Sequence, residues 1–94
     1  MITSFNDRET LKVWSGKFSR RLPSDIQEIA RRKLRMLNNV ESLQELQSLG
    51  NSLERLKKEK ERMGRLCIRI NDYWRISFVW EEGNATQVQI DNNH

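Results

Sequence analysis

Alternating apolar and polar residues between positions 65 and 80 predict two β-strands joined by a polar turn. The apolar positions that should share one face of this hairpin are Leu66, Ile68, Ile70, Trp74, Ile76, Phe78 and Trp80. A two-residue turn at Asn71 and Asp72 would put the two apolar rows on opposite faces, because a slip of one residue inverts every side chain. The pattern therefore predicts a three-residue turn over 71–73.

The predicted register has a consequence for the polar face of the hairpin. Ile70 pairs with Trp74, and Arg69 lies directly opposite Arg75 on the face away from the core. Like charges in that arrangement destabilise a sheet by about 0.2 to 1 kcal/mol. The pair therefore indicates a role other than folding, such as binding an anion. The structural alternative is a pair of solvated strand residues.

The chain before the hairpin begins with a predicted strand and a first helix. Residues 2–5 read as a short strand. Asn6 and Glu9 have the spacing of a capping box, in which Asn6 would be the N-cap. The helix that they open should run to about Ser15 and end at Gly16, which suits the position after a helix C-cap.

Two more helices are predicted before the hairpin. The Pro-Ser pair at 23–24, followed by Gln27, repeats the capping signature. The apolar stripe of the helix that follows is Ile26, Ile29, Ala30, Leu34 and Leu37. A shorter helix should follow through Leu43 and Leu46 and stop before Gly50.

The remaining pattern is that of a sheet. Residues 52–56 form a predicted strand, 57–64 a basic loop, 82–84 a turn, and 86–90 the last strand. This order predicts an α+β fold, a mostly antiparallel twisted sheet with two to three helices packed on one face. The other face of the sheet would then be open. With 94 residues, the chain should form a single domain over 1–94.

Charge favours an anionic partner. Seventeen Lys and Arg against thirteen Asp and Glu give a net charge of +4 and a pI near 9.6, which suits nucleic acid or an acidic protein. The single cysteine, Cys67, cannot form an internal disulfide and should pack in the sheet. The first ten residues are polar, and no apolar run approaches the length of a membrane span. We therefore expect a cytoplasmic protein with no membrane contact.

Four segments resemble a known family. They are Met1-Ile2-x-Ser4-Phe5, Leu34-x-x-Leu37 before Leu43 to Leu46, Gly50-Asn51-x-Leu53-Glu54-x-Leu56-Lys57, and the hairpin from Ile68 to Gly83. The Arg-x-Asn-Asp-x-Trp-Arg core of the hairpin is the most specific of these. Over nearly its whole length the chain resembles the HigB (host inhibition of growth) toxins of the RelE superfamily, which are bacterial ribosome-dependent messenger-RNA interferases.

The resemblance implies a fold, an activity and partners. It implies a small RelE-like fold, RNA cleavage on the exposed sheet face without a cofactor, and action on mRNA in the ribosome. It also implies a cognate HigA-like antitoxin with a helix-turn-helix, encoded beside the toxin. Matched residue by residue, Arg69 and Arg75 correspond to the family's active-site arginines, Lys57 to its loop lysine and His94 to its C-terminal histidine. Glu54 occupies a position where some HigB proteins have histidine.

Metal-free RNA cleavage explains why such residue types would be needed. A base must remove the 2′-hydroxyl proton, cations must stabilise the pentacovalent phosphate, and an acid must protonate the departing 5′-oxygen. Arg69 and Arg75 suit the phosphate because arginine stays protonated and offers parallel donors. His94, the only histidine, has an ordinary pKa of about 6.5 and suits proton transfer. Glu54 is the alternative base, and Lys57 would contact the reacting phosphate.

Further RNA contacts are expected along the basic loop and at the hairpin turn. The residues assigned to RNA binding are Lys58, Lys60, Arg62, Arg65 and Tyr73. Each assignment has a structural alternative. The run of alternating charge at 57–62 is also typical of a solvated loop, Glu54 could pair with Arg55 or Lys57, and a terminal histidine could have no role.

Two segments differ from the family pattern. Many relatives end in Asp-Tyr-His, where this chain ends in Asn92-Asn93-His94. Relatives usually read Lys-Gly-Asp-Arg in the basic loop, and this chain lacks that glycine. The leading interpretation is a toxin that cleaves mRNA on the ribosome. The alternative is a catalytically weak or inactive module that binds RNA or antitoxin. A DNA-binding protein ranks third, because no helix-turn-helix pattern is evident.

Overall fold

The computed structural model describes residues 1–55 and 64–92, and within them it contains three helices and a four-stranded sheet. The helices are α1 (Arg8–Trp14), α2 (Ser24–Asn39) and α3 (Leu43–Ser48), and the strands are β1 (Glu54–Arg55), β2 (Leu66–Arg69), β3 (Trp74–Glu81) and β4 (Asn84–Asn92). The strands follow one another in the sheet in chain order, and each pair of neighbours is antiparallel. The predicted α+β class is confirmed.

The core lies between the helices and one face of the sheet. The predicted stripe of α2 faces this core, and its residues Ala30, Leu34 and Leu37 are fully buried. They meet the apolar row of the hairpin, in which Ile68 and Phe78 are also fully buried. The tryptophans Trp14, Trp74 and Trp80 pack partly buried against the same cluster. Apolar burial therefore fixes which face of β2 and β3 points toward the helices.

A bulge in β4 keeps its apolar residues on the core face. Ser77 pairs with Gln89 but Val79 pairs with Thr86, so β4 has one residue more than β3 in this interval. Gln87 takes a left-handed conformation there, with φ of 54°. Because of the extra residue, Ala85 and Val88 both reach the core although three positions separate them. The predicted strand at 86–90 lies inside this longer strand.

The N-terminal segment differs from its prediction. Instead of a regular strand, Ile2 and Phe5 form two isolated parallel bridges with β4. The N-cap of α1 is Asp7, whose carboxylate accepts a hydrogen bond from the Thr10 amide at 3.0 Å, so the prediction of Asn6 was wrong. Asn6 is engaged elsewhere, because its Nδ2 donates to the side chain of Gln89 at 2.9 Å. The predicted end of the helix is confirmed, since Gly16 follows the C-cap with φ of 83°.

The start of α2 also departs from the capping prediction. The helix begins at Ser24 after Pro23, without a side-chain cap. Gln27, expected to bond back to the helix start, is instead 5% exposed and donates to the backbone oxygens of Ser19 and Leu22. Tertiary hydrogen bonds outcompete the local cap here. The shorter helix predicted through Leu43 and Leu46 is confirmed as α3.

Candidate functional site

The hairpin turn sets the geometry of the candidate site. Cys67 pairs with Ser77 and Arg69 with Arg75, which confirms the predicted register and the three-residue turn. The turn is held by Asn71, whose Oδ1 accepts hydrogen bonds from the amides of Tyr73 and Trp74, each at 2.8 Å. An asparagine that bonds to backbone amides a few residues ahead stabilises such turns. The two guanidinium groups therefore start from directly opposed positions on one face.

Arg75 is buried and incompletely bonded. Its side chain is 6% exposed, and Nη1 donates to the backbone oxygen of Asn71 at 2.8 Å and to that of Trp74 at 3.3 Å. Among the described residues Nε is buried without any hydrogen-bond partner. A buried donor without a partner costs free energy that a bound acceptor would recover. Arg75 is thus held in place by its own turn, with one buried donor left unpaired.

Arg69 lies in a different environment from its partner across the strands. Its side chain is about half exposed and Nη2 forms an ion pair with Asp72 Oδ1 at 2.8 Å. Asp72 is itself mostly exposed, so water screens the pair and its contribution to stability is small. Tyr73, which the sequence assigned to base stacking, is 66% exposed on the same turn. The turn thus presents a cation and an aromatic ring to solvent beside buried Arg75.

The sheet face away from the helices is open only at its margins, so the prediction of an open face was wrong for its centre. Cys67 is 1% exposed and Ser77 is completely buried. Polar side chains bond to one another across the strands in this region, which excludes water from the centre of the face. We call this group the polar layer and define it as Arg65, Cys67, Arg75, Ser77, Gln89 and Asp91.

Asp91 is a member of the polar layer that the sequence reasoning missed. It pairs with Arg75 across β3 and β4. Its Oδ2 accepts from Ser77 Oγ at 3.1 Å and its Oδ1 from Gln89 Nε2 at 2.7 Å. The predicted strand ended at Ile90, one residue short of this carboxylate. Extending the strand by one residue, with its side chain opposite to Ile90, would have placed Asp91 on the arginine face.

Glu54 reaches the same face from β1. It is exposed and pairs with Cys67 across the strands. Burial raises the pKa of the Cys67 thiol, and the negative charge of Glu54 raises it further. The positive charge of Arg75 lowers this pKa, and the negative charge of Asp91 raises it. Strand pairing puts Glu54 opposite Cys67 and Asp91 opposite Arg75, on the same face of the sheet.

Arg65 is placed differently from its predicted role as an exposed RNA contact. It is 6% exposed, and its Nη2 donates to Ser77 Oγ at 2.9 Å and to the backbone oxygen of Gln87 at 2.6 Å. The carbonyl of Gln87 belongs to the bulge of β4. The structure therefore puts Arg65 inside the polar layer, where it ties the start of β2 to β4.

A family model for HigB-like toxins, described as the RelE-like toxin of the type II toxin-antitoxin system HigB, matches residues 3–94. The chain belongs to this family. No curated protein matches it. Membership of this type II toxin-antitoxin family implies that the protein has an antitoxin partner.

Several predicted site residues of this HigB-like toxin lie outside the described residues. They are Lys57, Lys58, Lys60, Arg62 and His94. The described candidates that the structure brings to one face are Glu54, Arg69 and Arg75, with Tyr73 at the adjoining turn.

Two broader features complete the description of the toxin. Within residues 1–55 and 64–92, no three side chains of the kinds that bind metals cluster together. No helix in the same ranges has both the length and the apolar character needed to cross a membrane.

Proposed function

We propose that this HigB-like toxin is an endoribonuclease that cleaves mRNA on the ribosome without a metal ion and thereby inhibits translation and growth. The observation that carries the proposal is Arg75, a buried guanidinium with a hydrogen-bond donor left unpartnered. Its position opposite Arg69 puts a second cation at the same site. Two arginines on one face can hold a phosphate whose negative charge increases during cleavage.

The proposed reaction is attack of a 2′-oxygen on the adjacent phosphorus. The P–O5′ bond breaks, and the products are a 2′,3′-cyclic phosphate and a free 5′-hydroxyl. Arg75 would bind a non-bridging oxygen through its guanidinium once its side chain moves into contact with the substrate, and Arg69 would reach the phosphate after releasing Asp72. Lys57 would add a third cation. Preorganised donors of this kind typically contribute about 10² to 10³ in rate.

Proton transfer is assigned to three candidates. His94 would act as acid or base, Glu54 is the alternative base, and Asp91 is added because it lies across the strands from Arg75. Two hydrogen bonds from neutral side chains orient the Asp91 carboxylate toward Ser77 and Gln89. Asp91 is therefore the third candidate, a carboxylate that these bonds hold on the arginine face. His94→Gln and Glu54→Gln separate the other two candidates, since loss of the acting group should slow single-turnover cleavage by about 10² to 10⁴.

Dependence on the ribosome follows from what a small cationic site lacks. Orienting bound reactants can lower a barrier by about 7 to 11 kcal/mol. Among the described residues of the site, Tyr73 is the one large exposed aromatic ring, so these residues offer cations but little on which a strand could stack for attack. The ribosomal A site already presents single-stranded message. We propose that it supplies this orientation.

The decisive experiment compares one labelled mRNA, free or in a programmed ribosome, with purified toxin. We expect cleavage on the ribosome with cyclic-phosphate ends, and little cleavage of free RNA. Arg75→Ala should lower the rate of cleavage about 10²- to 10³-fold. Arg32→Ala is the matched control, because Arg32 is an exposed arginine on α2 that should not affect cleavage. Equal cleavage by the Arg75 variant would contradict the site assignment, and 5′-phosphate products would contradict the mechanism.

A second candidate function is a catalytically weak or inactive module that binds RNA or antitoxin. The ion pair of Arg69 with Asp72 supports it, since one of the two arginines is already partly neutralised. The same experiment decides between the two functions. If wild-type toxin cuts neither free nor ribosome-bound mRNA yet binds both, the binding module is favoured.

We also propose that the antitoxin is a HigA-like protein with a helix-turn-helix, encoded in the adjacent gene. Net charge of +4 on the toxin favours an acidic contact surface on that partner. Calorimetry with the neighbouring gene product should show binding that weakens with salt. An absence of heat on mixing would remove that protein as the partner.

A further inference from the structure

The loop between α1 and α2 presents a phenylalanine to solvent among basic residues. Phe18 is 63% exposed, and Lys17, Arg20 and Arg21 are all exposed around it. Between them lies Ser19, which is completely buried. We call this segment, 17–21, the Phe18 loop. Neither the core nor the candidate site uses its exposed side chains.

Buried hydrogen bonds hold the loop in one conformation. The amide of Ser19 donates to Gln27 Oε1 at 2.9 Å, and Gln27 Nε2 returns a bond to the Ser19 oxygen at 2.7 Å. Ser19 Oγ donates to Glu9 at 2.6 Å, and the Lys17 amide bonds to the end of α1 at Lys12. A preordered loop loses little conformational entropy when it binds a ligand. The backbone on both sides of Phe18 is thus held in place.

The cations of the loop are available to a ligand. In the described part of the chain, the side chains of Lys17, Arg20 and Arg21 form no ion pair and no hydrogen bond. Arg21 lies near enough to Glu9 to contribute, as a minor cause, to lowering the pKa of that carboxyl, after the hydrogen bond from Ser19. Exposed cations without partners, grouped around one ring, are suited to an anionic ligand.

The loop lies toward the same end of the sheet as the candidate site. Ser19 contacts Glu9, and the next residue, Thr10, accepts a hydrogen bond from the Ile90 amide at 2.9 Å. Ile90 precedes Asp91, and Trp74 pairs with Asn92, so this end of β4 also adjoins the hairpin turn. The loop is therefore connected to this end of the sheet through α1.

We propose that this loop is a second RNA-binding surface, in which Phe18 stacks on a base and Lys17, Arg20 and Arg21 contact phosphates. A protein ligand fits less well, because the centre of a protein interface needs a larger apolar area and this loop has a single exposed ring among its cations. Stacking requires only one exposed ring, and each stacked base contributes substantially to binding of single strands. The inference goes beyond the proposed cleavage, because RNA can bind to this loop whether or not the RNA is cleaved.

The test uses an RNA that cannot be cut. Anisotropy titration with a labelled 2′-O-methyl oligouridine measures binding while the 2′-oxygen is blocked as a nucleophile. Phe18→Ala should raise Kd by about 5- to 100-fold. Arg20→Gln and Arg21→Gln should each lower the slope of log K against log salt by about 0.7. A 4-thiouridine probe should crosslink to the 17–21 peptide.

Matched variants separate stacking from general effects. Leu49→Ala removes another exposed apolar side chain, and Arg32→Gln removes another exposed cation. Both should bind as wild type does. Phe18→Tyr should retain binding because it keeps the ring, whereas Phe18→Leu keeps apolar volume and should lose it. Circular dichroism confirms that each variant is folded.

These measurements either support or overturn the proposed RNA-binding surface. Selective loss in the loop variants, with crosslinks to the loop, supports the proposal even if cleavage of natural mRNA is never observed. Wild-type binding by Phe18→Ala, by Phe18→Leu or by both arginine variants would overturn it, as would an absence of wild-type binding. Loop variants that bind RNA normally but no longer bind the antitoxin would assign the surface to that protein and overturn the RNA proposal.

Discussion

The two faces of the sheet are equally buried at their centres and chemically opposite. On the helix side, Ile76 and Phe78 are completely buried among apolar side chains. On the other side, Ser77 is just as buried, but its hydrogen-bond partners are Arg65 and Asp91. Depth of burial therefore does not distinguish an apolar core from a layer of hydrogen-bonded polar side chains.

The two faces differ in how burial changes the free energy of folding. Removing apolar surface from water stabilises the fold at roughly 25 cal/mol per Å². Burying a guanidinium costs free energy unless every donor is paired, and Nε of Arg75 has no partner among the described residues. The helix side is explained by stability alone. In the polar layer, the unpaired donor of Arg75 opposes stability.

The largest expected effect is on the helix side. Phe78→Ala removes a fully buried ring from the centre of the core and should lower the free energy of unfolding by about 3 to 5 kcal/mol. Urea denaturation measures this loss. A cost below that of Ser77→Ala would break the comparison, because it would mean that the polar layer contributes more to stability than the core.

Arg75→Met should have the converse effect. Methionine keeps much of the side-chain volume and removes the buried charge together with its unpaired donor, which offsets the loss of two bonds to backbone oxygens. Unfolding free energy should therefore change little, while cleavage on the ribosome should fall about 10²- to 10³-fold. Denaturation and single-turnover cleavage are measured on the same preparation. Severe destabilisation together with wild-type activity would show that Arg75 is structural.

Cys67 offers a chemical probe of the polar layer. Burial, the first cause, and the negative charge of Glu54 both raise the pKa of its thiol. Because the thiolate is the reactive form, the folded protein should react with a disulfide reagent at pH 8 at least about 10-fold more slowly than the urea-unfolded protein. Glu54→Gln should lower the thiol pKa and raise the rate. An equal rate in folded and unfolded protein would show that the layer is open to solvent.

The smallest effect is expected at Ser77. Ser77→Ala removes one bond to Arg65 and one to Asp91, but Arg65 keeps its bond to the Gln87 carbonyl. The loss of unfolding free energy should be about 1 kcal/mol, measured by the same denaturation. A loss as large as that of Phe78→Ala would show that the hydroxyl is essential to a cooperative network.

Sequence reasoning predicted the hairpin closely because two apolar rows must face one core. That single condition required a three-residue turn and set Arg69 opposite Arg75. The capping predictions failed where other partners were available. Asn6 forms a hydrogen bond with Gln89, which is far away in the chain, and Gln27 bonds to Ser19, which lies outside the helix that Gln27 was expected to cap. Local spacing contains no information about such contacts.

The sequence by itself determined the α+β class, the faces of the strands and the pairing of the arginines, because each follows from short-range periodicity and a single core. Only the tertiary structure decided that Arg75 is buried and Arg69 exposed, that Asp91 joins them, and that Phe18 is exposed on an ordered loop. These outcomes depend on hydrogen bonds and burial between residues far apart in the chain. Periodicity assigns a residue to a face, whereas packing decides whether that position is buried, paired or exposed.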